Sequence, residues 1–411
     1  MKLVYFNNCA TDAQGRPHAF MVQEMPWLLK HFDTVEIVGY HGVCTVSGEP
    51  REVYPIVRPL GGVLLSFLLT PFRKELWREI RNLHRDGKMT LINVLKVIAF
   101  TQRGIKMHCW AEWIMRGMSD RNVMLYSFWM SYDGYAASLT RRKHPQTRLV
   151  VRGHAYDIDT ERNYMNPYLM KEYIGQKADG LYLISQSARE QYMSYMQGRV
   201  AKDKVHVLAM GSAGEPVTSF REAPLYTQRI LRVLSCARIV PIKQIHILAE
   251  ALSMWEGVPV CWTHIGGGEG EEELRRLVDE KIGPKENVIC EMLGSLDSEK
   301  IQHLYETRVF DVFVNTSRKE GVPISIMEAM RHGTPVIAPA VGGIPELVTP
   351  EVGWVYDPQQ GAQGVLHALE ELASLTQEEA EQLRQRTREH WNRHYCSSAL
   401  LAELFPDAHR R

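Results

Sequence analysis

Residues 315–347, NTSRKEGVPISIMEAMRHGTPVIAPAVGGIPEL, constrain this 411-residue chain more than any other stretch. They set one carboxylate, Glu320, in a loop and a second, Glu328, in a helix, with Gly321 and Pro323 between them. Pro323 suits a first helical position, residues 324–330 are mostly apolar, and Gly333 suits the cap that ends the helix. A strand is expected over 335–338, then a Gly342-Gly343 turn into another helix start. Strand, loop, helix and strand in succession form the unit of an α/β sheet. In such sheets ligands bind beyond the carboxyl ends of the strands, close to helix N-termini.

Glu328 is flanked by Ile326, Met327, Ala329 and Met330, so its helix has little solvent-facing character. A carboxylate buried there needs a partner, because stranding it costs several kcal/mol. A pair of sugar or ribose hydroxyls can supply one. An internal salt bridge to Arg331 or Arg318 is the other source, and an exposed stripe of the helix removes the need.

The Glu-x7-Glu spacing and its flanks, S-R-x-E-G-x-P, E-A-M, G-T-P-V-I-A and G-G-I-P-E-L-V, resemble retaining glycosyltransferases of the GT-B fold. The similarity is to family 4 (group 1), in its polysaccharide and surface-glycan branch. In that family the first Glu contacts the donor sugar and the second the ribose hydroxyls. The resemblance implies these roles for Glu320 and Glu328, with Gly321, Val322 and Pro323 lining the donor nucleotide. Ser235-Cys-Ala-Arg-Ile-Val-Pro-Ile-Lys-Gln resembles the family's G-R-x4-K element, with Arg238 and Lys243 as its cations and Cys236 in place of the glycine. A nucleotide sugar leaves as a diphosphate, and two fixed cations stabilise the charge that develops on the bridging oxygen.

Other elements extend the likeness. His264-Ile-Gly-Gly-Gly-Glu-Gly resembles the I-G-x-G loop, in which Gly266, Gly267 and Gly268 let the backbone approach the nucleotide. Leu293 stands where the family has a turn beside the base. The Gly342-Gly343 amides can face phosphate or cap the next helix. V-V-R-G-H-A-Y-D-I-D resembles the H-G-x-D element, which implies that His154 faces sugar and acceptor across the cleft, with Arg152 and Asp157 behind it. A turn histidine bonded to backbone is the plainer alternative. Asp157-Ile158-Asp159 is also an Asp-x-Asp, the metal-binding pair of the other glycosyltransferase fold. Its context is missing here and Arg238 with Lys243 supplies positive charge, so neither metal nor cofactor is expected. The Gly-Gly pair many members carry after the first strand is absent, leaving only Gly15 in a loop that should line the acceptor side.

Length allows two domains of about 200 residues. The expected division is an N-terminal Rossmann-like domain over 1–215, a nucleotide-sugar-binding one over 216–385, and a C-terminal helix over 386–411 that packs back on the first. Two successive βα series support it, with a polar linker over 211–228. A helix opens at Thr376, with Glu379 completing a capping box, and Ser187 with Glu190 reads as another cap. Residues 60–116 do not fit the βα pattern and read as a helical insert. Residues 63–69 are apolar, and residues 72–83 set Phe72, Leu76, Trp77, Ile80 and Leu83 against a face carrying Arg73, Lys74, Arg78, Arg81 and Arg85. That composition suits a helix lying on a membrane surface, or an insert packed on its own domain with a solvated basic face.

No apolar run reaches the ~18 residues needed to span a bilayer. The opening MKLVYFNN reads as a strand, and the seven cysteines show no C-x-x-C spacing, so a reduced cytoplasmic setting is expected. Net charge is zero but uneven: residues 1–220 hold 28 Lys+Arg and 20 Asp+Glu, the rest 20 and 28, giving +8 and −8. With no nucleic-acid motif, the basic half points to an anionic surface, the inner face of the cell membrane.

The expectation is a retaining hexosyl- or N-acetylhexosaminyltransferase using a nucleotide sugar, UDP-linked by resemblance, with GDP open. The acceptor is a lipid-linked or growing surface glycan. A nucleotide-sugar epimerase or a non-catalytic assembly protein on the same fold are the alternatives.

Overall fold

The computed structural model describes residues 1–11, 15, 19–46, 55–118, 122–158, 169–212, 214, 216–217 and 230–409. It divides into two compact units, Met1–Ala209 with Leu400–Arg411, and Met210–Ala399.

The first unit is built on β1 (Lys2–Phe6), β2 (Thr34–Val38), β3 (Val43–Val46), β4 (Val123–Ser127), β5 (Arg148–Gly153), β6 (Gly180–Leu183) and β7 (Val205–Val207). Their order across the sheet is β3-β2-β1-β4-β5-β6-β7. The edge strand β3 is antiparallel to β2, and the other pairings are parallel. Helices cover both faces, so central strands need no polar alternation: Leu3, Val4, Tyr5 and Phe6 are all buried, as is every residue of β4. The strand order reverses between β1 and β4, where Phe6 pairs with Ser127. The residues just beyond that pair sit at the place where such sheets bind ligands.

Helices α1 (Ala19–His31), α2 (Leu60–Leu69), α3 (Lys74–Arg85), α4 (Leu91–Arg116) and α5 (Tyr132–Lys143) belong to this unit. The expected insert over 60–116 is α2 to α4, and it ends in the single 26-residue helix α4. Thr90 caps α4 by accepting from the Asn93 amide at 3.1 Å. Helix α3 and the 3-10 turn before it, Thr70–Phe72, correct the expected pattern. Leu76 and Leu83 turn inward, but Trp77 (53 % exposed) and Phe72 (82 %) turn outward. Their places inside are taken by Glu75 and Glu79, with Glu75 held by Arg142 at 3.2 Å.

The second unit carries β8 (Leu231–Cys236), β9 (Val260–Ile265), β10 (Val288–Met292), β11 (Val312–Val314), β12 (Val336–Pro339) and β13 (Gly353–Tyr356). The order is β10-β9-β8-β11-β12-β13, all parallel, with the reversal between β8 and β11. The edge strands β3 and β13 are additions to the sequence reading. The helix Gln377–His394 has the expected Thr376–Glu379 capping box. The other expected cap shifts: Ser185, not Ser187, accepts from the Ala188 amide at 3.1 Å.

Residues 386–399 group with the second unit, and the segment that groups with the first begins at Leu400. Within the first unit, Phe405 seats its ring against Trp27, Phe32 and Tyr126 at centroid distances of 5.9, 5.5 and 5.1 Å. Of the expected linker, residues 218–228 lie outside the described residues.

Candidate active site

In the second unit, β8 ends at Cys236 and the chain turns through Arg238 into a short 3-10 turn, Pro241–Lys243. The loop after β11 is sewn to that turn. Thr316 Oγ1 donates to the Lys243 carbonyl at 2.9 Å, and the Arg318 amide donates to the Ile242 carbonyl at 2.9 Å. These bonds bring the Lys243 ammonium onto the Glu320 carboxylate, which also accepts from Ser317 Oγ at 2.8 Å. The two candidates expected to meet diphosphate and sugar are thus each other's partners. Arg238 is exposed and makes no ion pair among the described residues.

The glycines around this loop answer to backbone packing. Gly342 has φ +56°, and a Cβ on it would lie 1.9 Å from the Glu320 carbonyl oxygen. The Gly343 amide donates to the Gly321 carbonyl at 2.9 Å. The Gly343 amide therefore braces the Glu320 loop and is not free to face phosphate. A Cβ on Gly266 would lie 1.9 Å from the Ala237 carbonyl oxygen, and one on Gly268 would lie 2.3 Å from that of Ile239. The missing side chains of these two glycines are the room in which the Arg238 turn sits. Gly267 lies on the same loop, where a Cβ would approach Ser295 Oγ at 3.0 Å. Half-buried Leu293 is tied to the end of β9, its amide donating to the His264 carbonyl at 3.0 Å.

Glu328 lies on the helix Ile324–Arg331. Pro323 is its N-cap (φ −73°, ψ 121°), one residue before the position expected, and half-buried Val322 precedes it. The C-terminal signal is as expected, with Gly333 at φ +68° just past the last turn. Burial pushes the Glu328 carboxyl up to about 7, against a downward pull from Arg331. Glu328 makes no ion pair with Arg318 or Arg331 among the described residues, and it is half-buried, not an exposed stripe. Its charge bears on Cys236 at the end of β8, whose thiol burial and then Glu328 push up to about 12. Glu328 thus stands near the β8–β11 reversal as a carboxylate that no side chain among the described residues satisfies.

In the first unit, His154 follows β5 directly. Its backbone amide donates to Asp157 Oδ2 at 3.0 Å, and its ring stacks on Phe128 at 4.5 Å. Nε2 lies 2.9 Å from the Phe128 carbonyl. A carbonyl only accepts, so Nε2 carries the proton and Nδ1 the lone pair. Burial first, then Arg152, lowers the ring to about 3, so it is neutral at physiological pH and able to accept a hydroxyl.

Asp157 is used internally: it accepts from the His154 and Met130 amides and lies 3.8 Å from Lys171 Nζ. Asp159, the other half of the Asp-x-Asp, lies outside the described residues. No three His, Cys, Asp or Glu side chains converge to hold a metal ion among the described residues. Arg152 is removed from the candidates. It is buried, bonds Glu24 at 2.9 Å and donates to the Ala209 carbonyl at 2.9 Å.

Sequence reasoning missed Asp133 and Lys171. Asp133 opens α5, accepts from the Asn8 amide at 3.3 Å across the β1–β4 reversal, and is held well above the carboxylate range by burial and then by Asp157. An acidic residue before Gly134 at a helix start just after a strand was the available signal. Lys171 Nζ donates to the Met130 carbonyl from a helix 41 residues away, and nothing local marked it.

Comparison with known proteins fits this geometry. Residues 219–390 match the family model described as glycosyl transferases group 1, so the resemblance read from the Glu320 segment holds over that stretch. WcaL of Escherichia coli K12, whose name places it in colanic acid biosynthesis, is 28% identical over 207 residues, 48% of this chain and 50% of WcaL. AmsK of Erwinia amylovora, named an amylovoran biosynthesis glycosyltransferase, is 28% identical over 249 residues, 58% of this chain and 59% of AmsK. The chain thus spans about half the length of the curated relatives it matches. Among solved structures, the lipopolysaccharide outer core galactosyltransferase WaaB superposes with TM-score 0.62 at 15% identity, covering 100% of this chain and 99% of WaaB. Anabaena HepE in complex with UDP-glucose gives TM-score 0.62 at 15% identity, covering 100% of both chains. At that identity the likeness shows the fold, which is GT-B.

Proposed function

We propose that this chain is a retaining glycosyltransferase that moves a hexose or N-acetylhexosamine from a nucleotide sugar to a lipid-linked or growing bacterial surface glycan. One observation carries the reading. Lys243, Glu320 and Glu328 gather near the reversal of a parallel sheet, inside the stretch that matches group 1 glycosyl transferases.

In the proposed reaction the sugar C1–O bond to the diphosphate breaks. The acceptor oxygen bonds C1 on the same face, and the acceptor proton passes to the departing phosphate oxygen. No side-chain nucleophile and no metal are needed. The arriving diphosphate draws Lys243 from Glu320, and Arg238 supplies the second cation. Glu320 then orients the sugar hydroxyls, and Glu328 takes the two ribose hydroxyls that answer its unmet charge. Leu293 and the 266–268 loop flank the base. In the first unit, neutral His154 is able to accept a hydroxyl at Nδ1. UDP is the proposed base, supported by the nucleotide in the HepE complex. The names of WcaL and AmsK support a polysaccharide acceptor.

We place the acceptor end at the cytoplasmic face of a membrane. No helix of the described residues is long and apolar enough to cross one. Yet Val63, Leu64, Leu65, Phe67 and Leu68 of α2 are all exposed, as are Leu91, Ile92, Leu95 and Ile98 of α4. Contiguous apolar surface on that scale marks an interaction face. Among the described residues of 55–116, Arg58, Lys74, Arg81, Arg85, Lys88 and Arg103 are exposed, against the single exposed acid Asp86. That balance favours anionic headgroups.

The test is calorimetry with UDP, GDP and their sugars in the presence of EDTA, repeated on Glu328→Ala. Micromolar binding of one nucleotide, weakened in the variant, is expected. A folded protein that binds no nucleotide defeats the reading.

A further inference from the structure

The second unit also contains a cavity of about 280 Å³ lined by Tyr305, Phe310, Arg331, His332, Arg384 and Arg388, with Arg308 and Glu306 at its edge. It lies at the amino ends of β11 and β12, because Phe310 precedes β11 and His332 precedes β12. The donor-site residues lie at the carboxyl ends of the same sheet. A three-residue strand such as β11 separates the two ends by roughly 10 Å.

Among the described residues the charge of the lining is one-sided: four guanidinium groups meet one carboxylate, Glu306. Arg308 is held by Glu291 outside the lining, with Nη2 at 3.2 Å from Oε1. Arg331 lies over the Trp391 ring at 5.6 Å and reaches Gln302 Oε1 at 3.4 Å. Arg384 and Arg388 are one turn apart on the helix Gln377–His394, a spacing at which like charges repel. Burial, with Arg232 and Arg388 behind it, lowers the Arg384 guanidinium from its usual range, against the upward pull of Asp311 and Glu381. Each of Arg331, Arg384 and Arg388 keeps contacts with the protein. A guanidinium presents five donors in a planar fork, so a protein contact and an anion contact can coexist on one side chain. One wall is a flat aromatic pair, Tyr305 stacked on His332 at 4.7 Å and 4°. His332 is lowered to about 4, by burial and then by Arg331, so that wall is neutral at physiological pH.

We propose that this cavity is a binding site for a small phosphate-bearing molecule, a sugar phosphate or inorganic phosphate, separate from the nucleotide-sugar site. The three guanidiniums of Arg331, Arg384 and Arg388 take the phosphate, and the Tyr305–His332 face takes an attached ring. The volume admits one phosphate with a single sugar ring. Occupancy is also felt at Glu328. Arg331 lies three residues after Glu328 on the same helix and draws its carboxyl down, so an anion on Arg331 lets that carboxyl rise. This link rests on the donor-site reading above; the binding itself does not.

The experiment is calorimetry and thermal unfolding of the full chain with inorganic phosphate and with glucose 6-phosphate. It is run on the parent, on Arg238→Ala/Lys243→Ala, and on Arg388→Gln with Arg384→Lys as a second variant. The donor-site variant is expected to bind and be stabilised like the parent. Arg388→Gln, folded by its unfolding transition, is expected to bind about tenfold or more weakly, the worth of one charge-assisted hydrogen bond. Tighter binding of glucose 6-phosphate than of phosphate assigns the ring wall; equal binding assigns phosphate alone, and both support the site. Loss of binding in the donor-site variant, unchanged binding in folded Arg388→Gln and Arg384→Lys, or no binding to the parent each overturn the proposal. UDP binding that fails while phosphate binding persists overturns the donor reading and leaves the cavity standing.

Discussion

Glu328 ties stability to function in opposite directions. Its carboxyl is raised from the ordinary 4.5 to about 7, chiefly by burial. The folded state therefore holds a proton that the unfolded chain has released between those values. Stability falls as pH rises through that window, because the unfolded state binds fewer protons there. Below pH 4.5 both states are protonated and nothing is lost; above about 7 the full penalty applies. At 1.36 kcal/mol per pH decade it amounts to about 3 kcal/mol. Glu328→Gln keeps the shape and removes the charge. The variant should match the parent at pH 4 and exceed it at pH 8 by up to about 3 kcal/mol. Urea unfolding of both proteins across that range checks it, since groups common to both cancel in the difference. The variant should also bind UDP tenfold or more weakly at pH 8, about the loss of one hydrogen bond to a charged group. Parent affinity should rise with pH through about 7 as the carboxylate forms, with a flat profile in the variant. A stability gap that ignores pH, or a variant less stable at pH 8, refutes the account of burial. Unchanged UDP affinity refutes the ribose role alone.

Four further outcomes are expected. Lys243→Met should cut transfer by about a hundredfold or more in a donor-turnover assay, because a cation at the leaving group acts mainly in the transition state. Gly342→Ala forces a side chain at φ +56° onto the Glu320 carbonyl and should destabilise the second unit by about 3 kcal/mol in urea unfolding. Leu64→Asp with Phe67→Asp, both on exposed positions, should leave the melting temperature within a few degrees while abolishing co-sedimentation with phosphatidylglycerol vesicles. Glu24→Gln breaks a buried pair with Arg152 and should cost about 3–5 kcal/mol, read by unfolding of the first unit.

What the sequence disclosed was chemistry held in short segments. Glu320 and Glu328 share one loop and one helix, so their spacing is fixed by local backbone geometry, and the helix that carries Glu328 begins and ends within a residue of the reading. Central strands were legible because both faces are covered, which makes a strand such as β4 a continuous buried run. The edge strands β3 and β13 escaped for the converse reason: each is four residues long, and β13 keeps Val355 exposed. Amphipathic bookkeeping also misled on α3. Periodicity grouped Phe72 and Trp77 with Leu76, but their burial depends on which face a neighbour covers, and buried Glu75 finds its partner in Arg142, 67 residues on.

The same distinction separates the site residues. Lys243 and Glu320 are 77 residues apart, and their place in one site could be anticipated only because each sits in a recognisable segment; their direct contact was not anticipated. Glu24 and Arg152 are 128 residues apart and carry no such signal. An arginine before a glycine and a histidine looked like a ligand-binding residue, and only the fold reveals Glu24, Tyr126 and the Ala209 carbonyl around it. A buried charge is expensive unless its partners are in place. Arg152 therefore has its partners within the unit, whereas Glu328 has none among the described residues. That difference in internal satisfaction is the physical ground for removing Arg152 from the site and keeping Glu328 in it. The Glu328→Gln and Glu24→Gln pair puts it to the test, since removing the unsatisfied charge should stabilise the fold and removing the satisfied one should not.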